Sequence, residues 1–339
     1  MTATIYTVST AQHAVRSAPR PVLRNYRGEI DLPAMLAVVL GSKEIDHLER
    51  TDTLEEITRN YQHLVNSDPY QDVLLAEVAD QVVGYTRVWW EQEDSGLTNY
   101  FHINFLLPEW RGNGIRRSLL QAAEHRLRQI AAGHASDGPR FLASFCADTE
   151  THLESLLIEV GYEPIRHALN MVRPDLDNIP DWPLPEGLEV RPVQPEHIPA
   201  ILDAAKEAFR DHWGFSSSAW DQDTEGFKES KEFQPHLWQV AWDGDQVAGQ
   251  VDNFIHEQEN QEYNRKRGYT EGISVGRPWR RRGLAHALIA RSFHMLKEMG
   301  MTEAALGCDA ENLSGAVRVY TDMGFRTVKR YTNYRKPLS

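Results

Sequence analysis

Cysteine is nearly missing from this chain. Cys146 and Cys308 are the only two among 339 residues, so no more than one disulfide can form and no metal-ligand spacing arises, a pattern suited to a reducing compartment. Long apolar runs are missing as well. No stretch approaches the roughly 20 apolar residues that span a bilayer, and no basic segment followed by an apolar run stands near the start. The expectation is a cytoplasmic protein with no membrane contact. Positive charge is in deficit, with 36 Lys and Arg against 49 Asp and Glu and a net charge of −13. Affinity for a nucleic-acid backbone comes from clustered Lys and Arg, so that partner class is excluded, although a local basic cluster still suits a small phosphorylated molecule.

What is present is enough to build packed cores. The apolar share of 41% and charged share of 25% are those of a globular protein, and 339 residues are long for one core. The chain also repeats itself at an offset of about 165 residues. Leu32-Pro33-Ala34-Met35-Leu36 is echoed by Ile198-Pro199-Ala200-Ile201-Leu202, and Asp80-Gln81-Val82-Val83-Gly84 by Asp245-Gln246-Val247-Ala248-Gly249. Trp110-Arg111 and Gly114 return as Trp279-Arg280 and Gly283, and Gly161-Tyr162 as Gly324-Phe325. Repeats in constant order mark a tandem duplication. The domains expected are an N-terminal arm over 1–20, a first copy over 21–173, a linker over 174–187 stiffened by Pro174, Pro180, Pro183 and Pro185, and a second copy over 188–339.

Each copy opens with amphipathic helices, near 32–40 and 198–210, and continues into a hairpin. In the second copy the hairpin runs from Trp238 to Val251 around Asp243-Gly244, and a strand from Gly268 to Val275 follows. A helix with Leu284, Leu288, Ile289, Phe293 and Leu296 on one face ends at Gly300; a strand over Ala304 to Cys308, a helix from about Leu313 to Met323 and a strand through Val328 complete the copy. Strands alternating with helices predict an α/β fold, two tandem domains each with a mixed sheet flanked by helices.

The sharpest segment lies between that strand and helix: Val275-Gly276-Arg277-Pro278-Trp279-Arg280-Arg281-Arg282-Gly283-Leu284-Ala285. Backbone N–H groups at a helix start lack intrahelical partners and carry the positive end of the helix dipole, so they favour phosphate. Gly283 permits the turn, Ala285 keeps bulk away, and three arginines add charge.

This segment resembles the GNAT superfamily of acyl-CoA N-acyltransferases, whose signature is Arg or Gln, two residues, Gly, one residue, and Gly or Ala. Arg280, Gly283 and Ala285 match it, with Val275 at the preceding hydrophobic strand position. The resemblance implies a mixed, mostly antiparallel sheet in each domain. It also implies acetyl-CoA as cosubstrate, its pyrophosphate on Arg280, Arg281, Arg282, Gly283, Leu284 and Ala285, and its pantetheine arm on the backbone of Ile273, Ser274 and Val275. No metal is implied. Asn312 and Tyr320 match the family's Asn, seven residues, Tyr, ahead of Gly324-Phe325; by resemblance Asn312 contacts CoA and the Tyr320 hydroxyl faces the thioester sulfur. The layout is similar to that of the mycothiol synthases, two-copy members whose activity sits in the C-terminal copy.

Acetyl transfer to an amine needs one proton removed from the ammonium and benefits from one delivered to the departing thiolate. Tyr320 is the candidate acid. Glu271, on the strand before the turn and on the nominal face of Ile273 and Val275, is the candidate base, with Glu257, Glu259 and Glu262 as competitors. Cys308, with no His beside it in sequence, reads as a small buried residue rather than an acyl carrier. The first copy keeps Arg111-Gly112-Asn113-Gly114 but carries Arg116 where Ala285 stands, Leu157 where Tyr320 stands and Thr149 where Asn312 stands. The expectation is an N-acetyltransferase of a small-molecule primary amine, catalytic in the second copy. The competing expectation is an acyl-CoA-binding sensor without turnover.

Overall fold

The computed structural model describes residues 21–135, 138–312 and 315–338. The N-terminal arm expected over 1–20 and the expected helix start at Leu313 lie outside the described residues. The first copy runs β1 (Val22–Asn25), α1 (Leu32–Gly41), α2 (Leu54–Gln62), α3 (Pro69–Asp72), β2 (Val73–Val78), β3 (Gln81–Gln92), β4 (Thr98–Leu106), α4 (Ile115–Ala132), β5 (Arg140–Ala147), α5 (Thr151–Glu159) and β6 (Glu163–Arg173). The second repeats it with β7 (Glu189–Val190), α6 (Ile198–Phe209), α7 (Ser217–Lys228), β8 (Gln239–Asp243), β9 (Gln246–Ile255), α8 (Glu257–Glu262), β10 (Arg267–Val275), α9 (Leu284–Glu298), β11 (Glu303–Asp309), α10 (Ala316–Asp322) and β12 (Arg326–Pro337). Both copies are α/β, with a mixed and mostly antiparallel sheet flanked by helices.

Alternation along the strands sets the layers. Val240 and Trp242 pack with Ile201 of α6 on one face of β8, while Ala241 between them joins Leu284, Leu288, Phe293 and Leu296 of α9 on the other. The apolar stripe of α9 is fully buried, as its helical spacing requires. α4 repeats the role of α9 in the first copy, with Leu120, Ala123 and Leu127 against Leu142 and Cys146 of β5.

The two sheets are one. The strand order is β1-β2-β3-β4-β5-β12-β6-β11-β10-β9-β8-β7, so each copy ends by placing its last strand inside the other. β6 of the first copy lies against β11, with Asn170 opposite Gly307, and β12 of the second lies against β5, with Asn333 opposite Phe145. β6 and β12 then pair with each other.

Loops cross the boundary between the copies. The α1–α2 loop reaches the second copy, where Arg265 forms a two-point ion pair with Glu49 at 2.7 and 2.9 Å, Lys43 pairs with Glu262, and the Tyr263 hydroxyl accepts from the Arg50 backbone N–H. The start of α7 and the loop before it reach the first, with Asp94 accepting from the Ser217 N–H and hydroxyl at 2.9 Å each and donating its own N–H to the Phe215 carbonyl at 3.0 Å. The acidic run from Glu257 to Glu262 is therefore not an open loop before the catalytic strand. It forms α8; Glu262 pairs with the first copy through Lys43, and Glu259 is held by Arg265 and the Tyr269 hydroxyl.

Candidate active site

The site grows from an irregularity in β10. β10 and β9 pair in register up to Glu271 opposite Asp252 and resume at Ser274 opposite Gln250, so Gly272 and Ile273 bulge out together opposite Val251. Gly272 adopts φ +55, and a Cβ there would collide with the Asp252 carboxylate, so only glycine fits. On the other edge, β10 pairs with β11 only from Arg267 to Tyr269 and then diverges. A gap opens between two parallel strands, bordered by the bulge.

Glu271 reaches across this gap, its carboxylate accepting the Gly307 N–H of β11 at 2.8 Å. Burial pushes its pKa up to about 7, with the Gly307 hydrogen bond opposing. Asp252, opposite it on β9, accepts from the Gln250 side-chain amide at 2.9 Å, and burial, with the Glu271 charge adding, pushes it up to about 8. At neutral pH Asp252 thus keeps the proton that an exposed carboxylate has lost, while Glu271, on the same face, is near the midpoint of its titration. Tyr320 of α10 is buried, and its hydroxyl makes no hydrogen bond to the described residues. Burial, then the neighbouring Cys308 and Glu271, raise its pKa, so it keeps its proton. Cys308 donates weakly to the Met171 sulfur at 3.7 Å and burial pushes its thiol up to about 11, which leaves it a thiol rather than a nucleophilic thiolate.

Above the gap the turn is open. None of the backbone N–H groups from Arg281 to His286 donates to another described residue; the first to do so is Ala287, to the Gly283 carbonyl. Arg281 and Gly283 both take left-handed conformations, φ 63 and 84, which for an arginine costs about 1–2 kcal/mol. The three arginines do different work. Arg280 is spent on protein acceptors, the Val275 carbonyl at 3.0 Å, the Ala208 carbonyl at 3.2 Å and Asp211 at 3.2 Å. Arg282 reaches the Glu186 carbonyl at 2.9 Å, and exposed Arg281 has no side-chain partner among the described residues. Leu284 is core, Ser274 is buried, Ile273 and Val275 pack on the α9 core, and Ala285 is half-buried. Asn312 stands beside the α6–α7 loop, its side-chain amide 3.4 Å from His212 Nε2. The structure thus brings Glu271, Tyr320 and the turn to one gap and gives Arg280 and Asn312 protein neighbours.

Two comparisons of sequence bear on this geometry. The Acetyltransferase (GNAT) family model matches residues 198–325, and the Acetyltransferase (GNAT) domain model matches 45–136. The chain belongs to the GNAT acetyltransferase family. It is similar to mycothiol acetyltransferases from Streptomyces bingchenggensis, 26% identical over 89% of this chain and 99% of that protein, and Salinispora tropica, 24% identical over 86% and 97%. Among solved structures, the GCN5-related N-acetyltransferase from Sphaerobacter thermophilus is 25% identical, covers 95% of this chain and 97% of its own, and superposes with a TM-score of 0.71. A tandem GNAT protein from the clavulanic acid biosynthesis pathway shares the fold at 12% identity, with a TM-score of 0.65 over 94% of this chain. With two GNAT family matches in tandem and mycothiol acetyltransferases among the relatives, the chain is an acyltransferase. Among the described residues no helix is long and apolar enough to cross a membrane, and no group of side chains is arranged to hold a metal.

In the first GNAT copy the same gap is filled. β4 has no bulge, pairing without a shift from Gly84–Leu106 to Gln92–Thr98. Ile103 and Arg87 form the cross-strand pair where Glu271 and Asp252 stand. Arg116 is buried and donates to the Asn104 carbonyl at 3.2 Å, on β4 where Ile273 sits on β10. His102, fully buried, meets the Tyr162 hydroxyl at 2.8 Å and the Asn104 amide at 2.9 Å, and burial pushes it down to about 4, so it stays neutral. Arg111 is locked in a two-point pair with Asp46.

Asp252 and His212 escaped the sequence reading. A lone Asp inside an alternating strand looks like a solvent-facing residue, and only the cross-strand register sets it against Glu271. His212 lies in a loop with no motif around it; Asp309, Arg280, Asp211 and Arg166 surround it, and burial lowers its pKa.

Proposed function

We propose that the protein transfers acetyl from acetyl-CoA to a primary amine of a small molecule, with the chemistry in the second copy. The observation that carries this reading is the gap between β10 and β11, bordered by Glu271 on one side and Tyr320 on the other beneath an open anion-binding turn. The N–H groups from Arg281 to His286 suit the pyrophosphate, with Arg281 as the available charge. The bulged Ile273 and its neighbours Ser274 and Val275 border the place of the pantetheine arm. Residues and cosubstrate fit in size and charge, because Gly283 and Ala285 leave the turn without bulk.

In this reading the amine nitrogen attacks the thioester carbon, the C–S bond breaks, and the acetyl group leaves on nitrogen. Glu271 takes the proton the amine must lose. A base with pKa near the working pH combines a large ionised fraction with real proton affinity, and the value of about 7 meets that condition. Tyr320 supplies a proton to the thiolate. Asp252, opposite Glu271 on β9, is raised by burial with the Glu271 charge adding, and so stands beside the base as a neutral carboxyl.

The test is release of free CoA thiol from acetyl-CoA across amino sugar conjugates, aminoglycosides and polyamines, joined to calorimetry with acetyl-CoA. The expected outcome is acceptor-dependent thiol release and binding of one cosubstrate per chain. Binding without turnover for any acceptor would leave a sensor; two equivalent sites would contradict the filled first copy.

A further inference from the structure

The segment over 174–187 has no helix or strand, yet it is not a free spacer. Arg173 binds the carbonyls of Asp175 and Asp177 at 2.8 Å each and that of Met323 at 2.6 Å, fixing the segment's start. Leu176 is buried, Ile179 and Leu184 pack on the second core, and Arg282 of the turn holds the Glu186 carbonyl. Between these anchors Trp182 is set against the first turn of α9. Its ring stacks on His286 with centroids 4.2 Å apart and planes at 26°, and its edge lies 3.9 Å from where a Cβ on Gly283 would stand. Burial lowers the His286 pKa, with the Asp322 charge of α10 opposing.

Trp182 remains 40% exposed, so a large part of the stacked ring is bare. Among the described residues the first copy has no such arrangement: none of them lies within 4 Å of a Cβ built on Gly112 or Gly114. A large aromatic held by its neighbours, partly bare, and beside a turn suited to a pyrophosphate matches a ligand that joins an aromatic base to that pyrophosphate. We propose that Trp182, supplied by the interdomain segment, is the surface on which the adenine ring of the cosubstrate stacks, backed by His286 and with Arg281 beside it for the phosphates. This rests on the reading of the turn as the CoA site and adds a residue that the motif does not contain.

The experiment compares acetyl-CoA with acetyl-phosphopantetheine, which lacks the adenosine part. In the full chain, Trp182→Ala is expected to raise KM for acetyl-CoA about tenfold, the value of one base-stacking contact, with kcat unchanged. KM for acetyl-phosphopantetheine is expected to stay as in the wild type. Adenosine 3′,5′-bisphosphate, a competitive inhibitor of the wild type in this reading, is expected to weaken by the same factor. Trp182→Leu, apolar but without a π face, gives the same readouts if the alanine variant does not fold. An unmoved KM for acetyl-CoA, an equal loss on both cosubstrates, or tighter binding once the ring is removed would overturn the platform while the cosubstrate reading stands. A wild type that neither binds nor turns over acetyl-CoA overturns both.

Discussion

The two GNAT copies carry turns of the same backbone shape over opposite interiors. Gly112 and Gly114 repeat the left-handed conformations of Arg281 and Gly283, and the first helix N–H to find a carbonyl is the one four residues beyond Gly114 in the first turn and four beyond Gly283 in the second. Beneath the second turn a bulged strand and two carboxyls border a gap. Beneath the first, an unbulged strand and the Arg116, Asn104, His102 and Tyr162 cluster close it. The lesson is that a phosphate-type turn and an open gap beneath it are separable: the turn follows from local backbone chemistry, whereas the gap goes with one inserted residue in β10 and one small residue in α9.

The sharpest way to break this comparison is to exchange the small and large residues. Ala285→Arg is expected to abolish acetyl-CoA binding by filling the gap as Arg116 does, because the about 1 kcal/mol or less that a surface charge returns cannot offset exclusion of the ligand. Arg116→Ala is expected to leave kcat within about twofold, since no Tyr320 or Glu271 counterpart stands nearby. Calorimetry and turnover for both variants decide it; normal binding by Ala285→Arg would end the steric account.

Next in size is Tyr320→Phe, expected to lower kcat by about 10- to 1,000-fold with cosubstrate affinity kept, as follows from losing a positioned acid. Its counterpart, Leu157, shows that the first copy lacks this proton. Unchanged turnover over the pH range would remove Tyr320 from the reaction.

Glu271→Gln sharpens the comparison through pH. In the wild type, kcat/KM is expected to rise as pH passes about 7 and Glu271 loses its proton. The variant is expected to lose that acidic limb. A limb that persists unmoved would assign it to another group.

The smallest effect is on stability. Asp252 has a folded pKa of about 8, above its ordinary value of 3.8, so the folded state holds a proton that the unfolded chain releases. The stability this contributes is fully present below about pH 4 and is lost as pH rises through 8. Asp252→Asn is expected to raise Tm relative to wild type at pH 8 to 9 and to lose that advantage at pH 4. Equal melting curves at both pH values would mean that Asp252 is solvated like an ordinary aspartate.

Much of the site was legible because it is local. Arg280, Gly283 and Ala285 lie within one turn, and the helix dipole and free N–H groups follow from the backbone alone. Glu271 was read by strand alternation onto the face of Ile273 and Val275, but the bulge between Glu271 and Ser274 breaks that alternation, and its facing is set by Asp252 opposite it on β9. The setting of the competing carboxylates was not legible for the complementary reason: Glu262 and Glu259 are answered by Lys43 and Arg265, and Lys43 lies more than two hundred residues away in the chain. Arg280 matched the motif, yet the structure spends its guanidinium on the Val275 and Ala208 carbonyls. A motif names residue types without saying which neighbour each side chain will satisfy.

By itself the sequence determined the duplication, the α/β order of each copy, the turn and its helix, and which copy retains Tyr320. These depend on periodicity, on glycine's access to left-handed backbone, and on charge close by in the chain. Tertiary structure decided the exchange of β6 and β12, the opposition of Asp252 to Glu271, the plug around Arg116, and the setting of Trp182 over the turn. Each of those requires the register of strands far apart in sequence, and strand pairing depends on which edges meet, a property of the whole sheet that no local window contains.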